Sequence, residues 1–404
     1  MGHISYQKSV EILRENLPPR KDLEEIFLEN GIGRILGVDV VAPYNNPYYP
    51  TAAMDGYAIR HSDQGKRLKI IGENPAGKFE IRKVGEGEAV KTFTGSFMPE
   101  GSDTLVPFEN VEVAGEQLEV VEPVPKGYSV RPIGEDFKEG EVIIPAETLL
   151  REGELGVLAS IGKSTIQVVR RPKIAILATG EELVPIDAPF KVGQIRSSNN
   201  YTLTFLGRRF GYQVENLGIV GDNREEIRKK IQKGLAENDI VVTTGGVSVG
   251  DYDFVKEVVK EVTGEFQLLF HGVNIKPGQW VMVARAGESK YIVSLPGFPY
   301  SSFVTFLLYV VPIADQLGGL SNLHRTQMTL GERFQKRFQK YQFVAVNIYS
   351  RPAGFVVDTA GKRVGSSGIL TNLIGCKGLM ELPEGLYTLE LGSSVQVLTF
   401  DRVL

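Results

Sequence analysis

Between residues 172 and 318, apolar runs of strand length alternate with amphipathic runs of helix length, and this alternation restricts the fold more than any other feature of the chain. Lys173–Ala178 reads as a strand, the residues near Asn200–Arg209 as a helix, and Tyr212–Val220 as a strand. Arg224–Ala236 carries Ile227, Ile231 and Leu235 at i, i+4 and i+8, which is one helical face. Residues 239–244 follow as a strand, 253–262 as a helix, Tyr291–Leu295 as a strand and Tyr300–Gln316 as an apolar helix. Strands separated by helices return in the same direction, so the pattern predicts a parallel-rich sheet with both faces covered, a three-layer α/β domain.

The flanking segments read differently. Residues 6–17 place Tyr6, Val10, Leu13 and Leu17 on one helical face, and Pro18-Pro19 stops that helix. Leu23–Glu29 reads as a second helix ending at Asn30-Gly31, and Ile35–Val41 as a strand. From there short β-like runs (Leu68–Ile71, Val90–Phe93, Leu105–Phe108, Leu118–Val121) are separated by turn residues, with no helix pattern. Leu149–Ile161 is partly helical, and the residues after 320 return to short strands. At 404 residues the chain exceeds one ordinary core. The expected division is an elongated N-terminal domain (1–42 and 128–171), an inserted β domain (43–127), the α/β domain (172–319) and a C-terminal β-barrel domain (320–404).

Formal net charge is −4, from 45 basic and 49 acidic residues, which argues against coating nucleic acid. The longest apolar run, Phe303–Ile313, is short for a bilayer span, so no membrane partner is expected. A single cysteine, Cys376, excludes an intrachain disulfide. With no secretory pattern at the N-terminus, a cytoplasmic location is expected.

In a doubly wound sheet ligands bind beyond the carboxyl ends of the strands. Three loops stand at such ends: Ala178-Thr179-Gly180-Glu181-Glu182-Leu183, Thr243 to Phe254, and Ser294-Leu295-Pro296-Gly297-Phe298-Pro299. In the second loop, Gly245 and Gly246 let backbone approach a ligand. The hydroxyls of Thr243, Thr244 and Ser248 suit a phosphate, and Asp251 and Asp253 add carboxylates for a divalent cation. Asn274-Ile275-Lys276-Pro277-Gly278 supplies a lysine in a constrained turn. Any one of these is equally a plain turn; three at the ends of one sheet argue for a shared site. Asp55-Gly56, among apolar residues, reads as a hairpin turn with Asp55 as its cap.

Other patterns fail their tests. Gly162-Lys163-Ser164 lacks the P-loop glycine, since Val157 stands there, and Gly31-Ile32-Gly33 lacks the third glycine of a dinucleotide fingerprint. His3, His61, His271 and His324 are far apart and show no zinc spacing. Cys376 has no local partner base and reads as a buried side chain.

As an ordered set the motifs resemble those of the molybdopterin molybdenumtransferase (MoeA) family, whose eukaryotic relatives include the E domain of gephyrin. They are Met54-Asp55-Gly56-Tyr57-Ala58, Thr94-Gly95 with Pro99 and Gly101-Ser102-Asp103, Gly134-Glu135-Asp136, and Thr179-Gly180-Glu181-Glu182-Leu183. Ile195 with Ser198-Asn199, Thr244-Gly245-Gly246-Val247-Ser248-Val249-Gly250, Lys276-Pro277-Gly278, and Leu295-Pro296-Gly297 with Pro299 complete the set.

The resemblance implies four domains and a homodimer, with a site shared between the α/β domain of one subunit and the inserted domain of the other. It implies insertion of molybdate into adenylated molybdopterin with release of AMP. Asp55, Glu182, Asp222 and Asp253 are then the catalytic carboxylates, with Asp55, Glu182 and Asp253 on a magnesium ion. Thr94, Asp136, Thr179, Gly180, Thr244, Gly245, Gly246, Ser248 and Gly250 contact the adenylated pterin. Lys276 faces an oxyanion or phosphate, Pro296 and Pro299 form a wall, and Ser366 (or Ser367) reaches in from the C-terminal domain.

The chain departs from the family pattern at Gln279 and Gly272, where lysines are usual, at Phe298 for asparagine, and at Ser198 for aspartate. These changes remove positive charge (the two lysines) and a polar group (the asparagine) from the oxyanion pocket and leave molybdate and tungstate both open. Two other readings are adenylation of molybdopterin by ATP and a catalytically weak, gephyrin-like pterin-binding scaffold.

Overall fold

The structure, a computed structural model, describes residues 3–18, 22–77, 82–189, 191–247, 254–262, 266–287 and 289–400. The chain divides into two compact units, Met1–Glu25 with Val168–Leu404 and Ile26–Gln167.

In the first unit, six strands among the described residues form one sheet. Their order is Gln213–Val220, Lys173–Thr179, Ile240–Thr244, Lys290–Leu295, Met282–Ala286 and Phe266–His271. The first four are parallel, with Ile174 opposite both Val214 and Ile240. Side chains alternate across the central strand. Ile174 and Ile176 pack with helices Asn199–Arg209 and Pro299–Thr305 on one face. Ala175 and Leu177 pack with Arg224–Glu237 and Phe254–Val262 on the other. All four are fully buried, which is why a strand covered on both faces reads as an unbroken apolar run.

Two strands escaped the sequence reading. Phe266–His271 and Met282–Ala286 extend the sheet antiparallel, so the sheet is mixed at that edge. Asn274–Gly278 is also more than a turn: Ile275–Lys276 pairs parallel with Tyr341–Arg351, Lys276 opposite Gln342.

The apolar helix is longer than expected. It runs Pro299–Thr305, Phe306–Val310 and Val311–Gly318, the middle segment being a π turn. Pro312 has no N–H to give to the preceding turn, and the wider turn accommodates that loss. By length and composition Pro299–Gly318 is sufficient to cross a bilayer, but 83% of its most apolar window is buried inside the fold, where it is a core helix.

Among the described residues, five strands close a C-terminal barrel. They run Tyr341–Arg351, Gly354–Asp358, His324–Leu330, Ser394–Thr399 and Gly378–Leu382, and the last pairs back to the first. Leu330, Val346, Val357, Met380 and Val397 fill its centre.

In the second unit, strands Thr104–Pro107, Gly56–Ile59, Glu88–Thr92, Leu68–Asn74, Gln117–Val120 and Val111–Ala114 form a sheet in that order around Tyr57, Ile59, Leu68, Val106 and Leu118. The helix expected within 149–161 is Glu152–Ser160. The helix expected at Leu23–Glu29 is instead a strand, Leu23–Phe27, and a 3-10 turn, Leu28–Asn30. Pairing with Thr165–Val169 overrides the helical propensity of Leu-Glu-Glu. The strand expected at Ile35–Val41 shrinks to an isolated bridge at Ile35 and the pair Val40–Val41.

Candidate active site

The α/β sheet has a switch point where ligands bind. The strand Lys173–Thr179 lies between the second and third strands, and the helices before those strands cover opposite faces. A crevice therefore opens beyond the carboxyl ends of Lys173–Thr179 and Ile240–Thr244. A cavity of about 460 Å³ occupies it.

All three strand-end loops line this cavity. Thr179, Gly180 and Glu182 come from the first, Thr244, Gly245 and Gly246 from the second, and Pro296 and Pro299 from the third. Asp222 joins them from the loop after Gln213–Val220. The loops touch backbone to backbone. The Gly245 N–H donates to Leu295 O at 3.0 Å, and a Cβ on Gly297 would lie 3.7 Å from the Gly245 Cα. Gly245 has φ +92°, and a Cβ there would stand 2.5 Å from Thr179 O, so only glycine fits.

Among the described residues, Glu182 and Asp222 are the two carboxylates of the cavity. The neighbouring Glu181 turns away and accepts the Asp222 N–H at 2.8 Å, which fixes that loop. Asn199 Nδ2 donates to Gly297 O at 2.7 Å, tying the start of its helix to the Leu295-Pro296-Gly297 loop. Neither contact had a signal in the sequence, and neither did Trp280, which also lines the cavity. Trp280 lies between His3 (ring centroids 4.6 Å) and His271 (5.9 Å), so histidines far apart in sequence meet around one indole. His271 Nε2 is 2.9 Å from Val247 O, in the glycine loop.

Thr243 departs from its expected role. It is fully buried, faces Ser294 across the sheet, and its hydroxyl finds no partner among the described residues. Ser248, Gly250, Asp251 and Asp253 lie outside the described residues.

Lys276 and Ser366 line a different, much smaller cavity of about 10 Å³, between the sheet edge and the barrel. Lys276 Nζ donates to Ser367 Oγ at 3.4 Å and lies 5.0 Å from the centre of the Phe338 ring. Consecutive residues divide the two spaces, Pro299 on the larger and Tyr300 on the smaller. Phe298 is 64% exposed at the larger one. Cys376 is no nucleophile: burial pushes its thiol up to about 11, and Sγ donates to Gly378 O.

The remaining site residues belong to the second unit. Asp55 Oδ1 accepts the Thr94 N–H at 2.8 Å and the Thr94 hydroxyl at 2.7 Å. These bonds hold the Asp55 carboxyl below its ordinary value, with Lys91 adding to the effect. Asp136 Oδ2 accepts from Asn46 Nδ2 at 2.9 Å.

Among the described residues no group of three His, Cys, Asp or Glu side chains makes a self-sufficient metal cage. Magnesium does not require one: it takes one or two carboxylates and completes its shell with phosphate oxygens and water. Glu182 and Asp222 in one cavity fit that demand.

The chain matches two family profiles. One, the MoeA N-terminal region (domain I and II), covers residues 4–162, and the other, a probable molybdopterin binding domain, covers residues 175–316. The molybdopterin molybdenumtransferase of Staphylococcus epidermidis is 30% identical over 382 residues, 92% of this chain and 90% of that protein. The protein of that name from a Nostoc species is 34% identical over 314 residues, 76% of this chain and 72% of that one. A crystal structure of the molybdopterin biosynthesis MoeA protein of Pyrococcus horikosii superposes with a TM-score of 0.85 at 28% identity, covering 99% of this chain and 100% of that one. The chain belongs to the MoeA family of molybdopterin molybdenumtransferases, transferase enzymes of molybdenum cofactor biosynthesis.

Proposed function

We propose that the enzyme inserts molybdate, or tungstate in its place, into adenylated molybdopterin, and that AMP leaves in a magnesium-dependent step. The observation that carries this reading is the convergence of three strand-end loops and two carboxylates on one crevice. An adenylated pterin offers a phosphoanhydride and a dithiolene. The backbone of Gly245 and Gly246 and the hydroxyls of Thr179 and Thr244 hold its phosphate and pterin side. Glu182 and Asp222, with Asp253 and with Asp55 from a second copy of the chain, supply carboxylates for magnesium. A magnesium ion held by these carboxylates would supply positive charge against the phosphoanhydride oxygens. Lys276 and Ser366, on the smaller cavity beside the crevice, are assigned to the oxyanion, and Thr94 and Asp136 contact the substrate from the inserted domain.

In this reading the working unit is a cytoplasmic homodimer of four-domain subunits, divided as the sequence indicates, with no nucleic-acid or membrane partner. The MoeA N-terminal region, residues 4–162, favours metal insertion over adenylation alone. The test is AMP release from adenylated molybdopterin by wild type, Asp55→Ala, Glu182→Ala and Asp253→Ala. Each variant is expected to lose about a hundredfold or more in turnover. Full activity in all three would overturn the site assignment.

A further inference from the structure

Lys276 has a cationic neighbour that no motif indicates, Lys340. Lys340 Nζ donates to Gln279 Oε1. Gln279 Nε2 in turn donates to His3 Nε2 at 2.9 Å, which requires the neutral imidazole. Each end of the Gln279 amide is thus committed, and its carbonyl aims the ammonium. Phe338, two residues before Lys340, lies 5.0 Å from Lys276 Nζ, so the same segment wraps Lys276.

We propose that Lys340 is a second cation of the oxyanion subsite begun by Lys276, held in place by Gln279 and, behind it, His3. The inference rests on the functional reading above and names a further binding residue for it. Among the described residues neither lysine has a carboxylate within ion-pair distance, although the chain carries 49 acidic residues to supply one. Half-burial lowers the Lys340 ammonium below its ordinary value, and the charge of Lys276 lowers it further, so the two cations share a field. Burial and the Lys340 charge likewise lower His3, which favours the neutral ring that the Gln279 contact needs. Two like charges held together without a counter-charge repel, and a dianion placed between them relieves that repulsion. Lys340 is a binding residue in this account; Gln279 and His3 are positioning residues.

The experiment is calorimetric titration of the full-length protein with tungstate, paired with the oxyanion KM and kcat of AMP release. Lys276→Ala and Lys340→Ala are each expected to weaken tungstate binding about tenfold, the loss of one charge-assisted contact. Gln279→Glu keeps a partner for Lys340 but neutralises it. It is expected to raise the oxyanion KM about as much as Lys340→Ala with kcat at saturation little changed, a split that a merely structural role would not produce. Gln279→Leu is expected to fall between that variant and wild type. Lys229→Ala, on a remote exposed helix, should bind as wild type. If Lys340→Ala unfolds, Lys340→Met keeps the apolar stem and carries the same expectation. Normal tungstate affinity in Lys340→Met and Gln279→Glu, beside a weakened Lys276→Ala, overturns this proposal and leaves the functional reading intact. Absence of tungstate binding in wild type overturns the oxyanion subsite itself.

Discussion

Asp55 takes two hydrogen bonds from one residue: the Thr94 N–H at 2.8 Å and the Thr94 hydroxyl at 2.7 Å meet on Oδ1. Both donors favour the ionised carboxylate, so Asp55 stays charged to lower pH than an ordinary aspartate. Thr94→Val removes the hydroxyl and keeps the shape. The Asp55 pKa is expected to rise, read by NMR titration of its carboxyl carbon, and turnover to fall about tenfold, as for loss of an orienting partner. An unmoved Asp55 titration would contradict the assignment of the hydroxyl as its stabiliser.

The glycine loop gives a second expectation. A methyl on Gly245 would meet Thr179 O at 2.5 Å and would force a side chain to φ +92°. Gly245→Ala is expected to cost about 1–3 kcal/mol in urea unfolding, and to reduce AMP release as the loop leaves Thr179. Gly246→Ala, at φ +64° and 2.6 Å from Val255 Cγ2, should behave alike. Gly77, at φ +81° with open space around it, separates the two effects, since Gly77→Ala should cost only the backbone strain.

A buried acid sets a pH dependence of stability. Asp315 Oδ1 accepts from the Tyr212 hydroxyl and from Asn322 Nδ2, and burial raises its pKa above the ordinary 3.8 despite those donors. The folded state therefore holds this proton more tightly than the unfolded chain. That stabilisation is complete below the ordinary value and is lost as pH rises through the raised one. Asp315→Asn, measured by urea unfolding from acid to neutral pH, is expected to flatten this part of the profile. Tyr212→Phe is expected to cost about 1.5–3 kcal/mol where Asp315 is ionised.

Legibility in the sequence followed the range of the forces involved. Ile174–Ala178 and Ile240–Val242 announce themselves because burial on both faces leaves no polar position. The ligand crevice follows from topology once the alternation of strands and helices is seen, so the strand-end positions of Thr179, Glu182, Thr244 and Pro296 are legible in the sequence. What failed depends on distant partners. Leu23–Phe27 has helix-forming residues and becomes a strand only because Thr165–Val169 pairs with it. Lys276 reads as part of a turn because the strand it joins, Tyr341–Arg351, lies far along the chain. The His3, Trp280 and His271 cluster and the Lys340–Gln279 contact are products of folding with no local spacing to reveal them.

One measurement tests the central claim most directly: AMP release from adenylated molybdopterin by the purified protein, with magnesium, and with molybdate and tungstate side by side. Release is expected to stop when magnesium is withheld and to quicken when either oxyanion is added. No release with magnesium and both oxyanions present would contradict it.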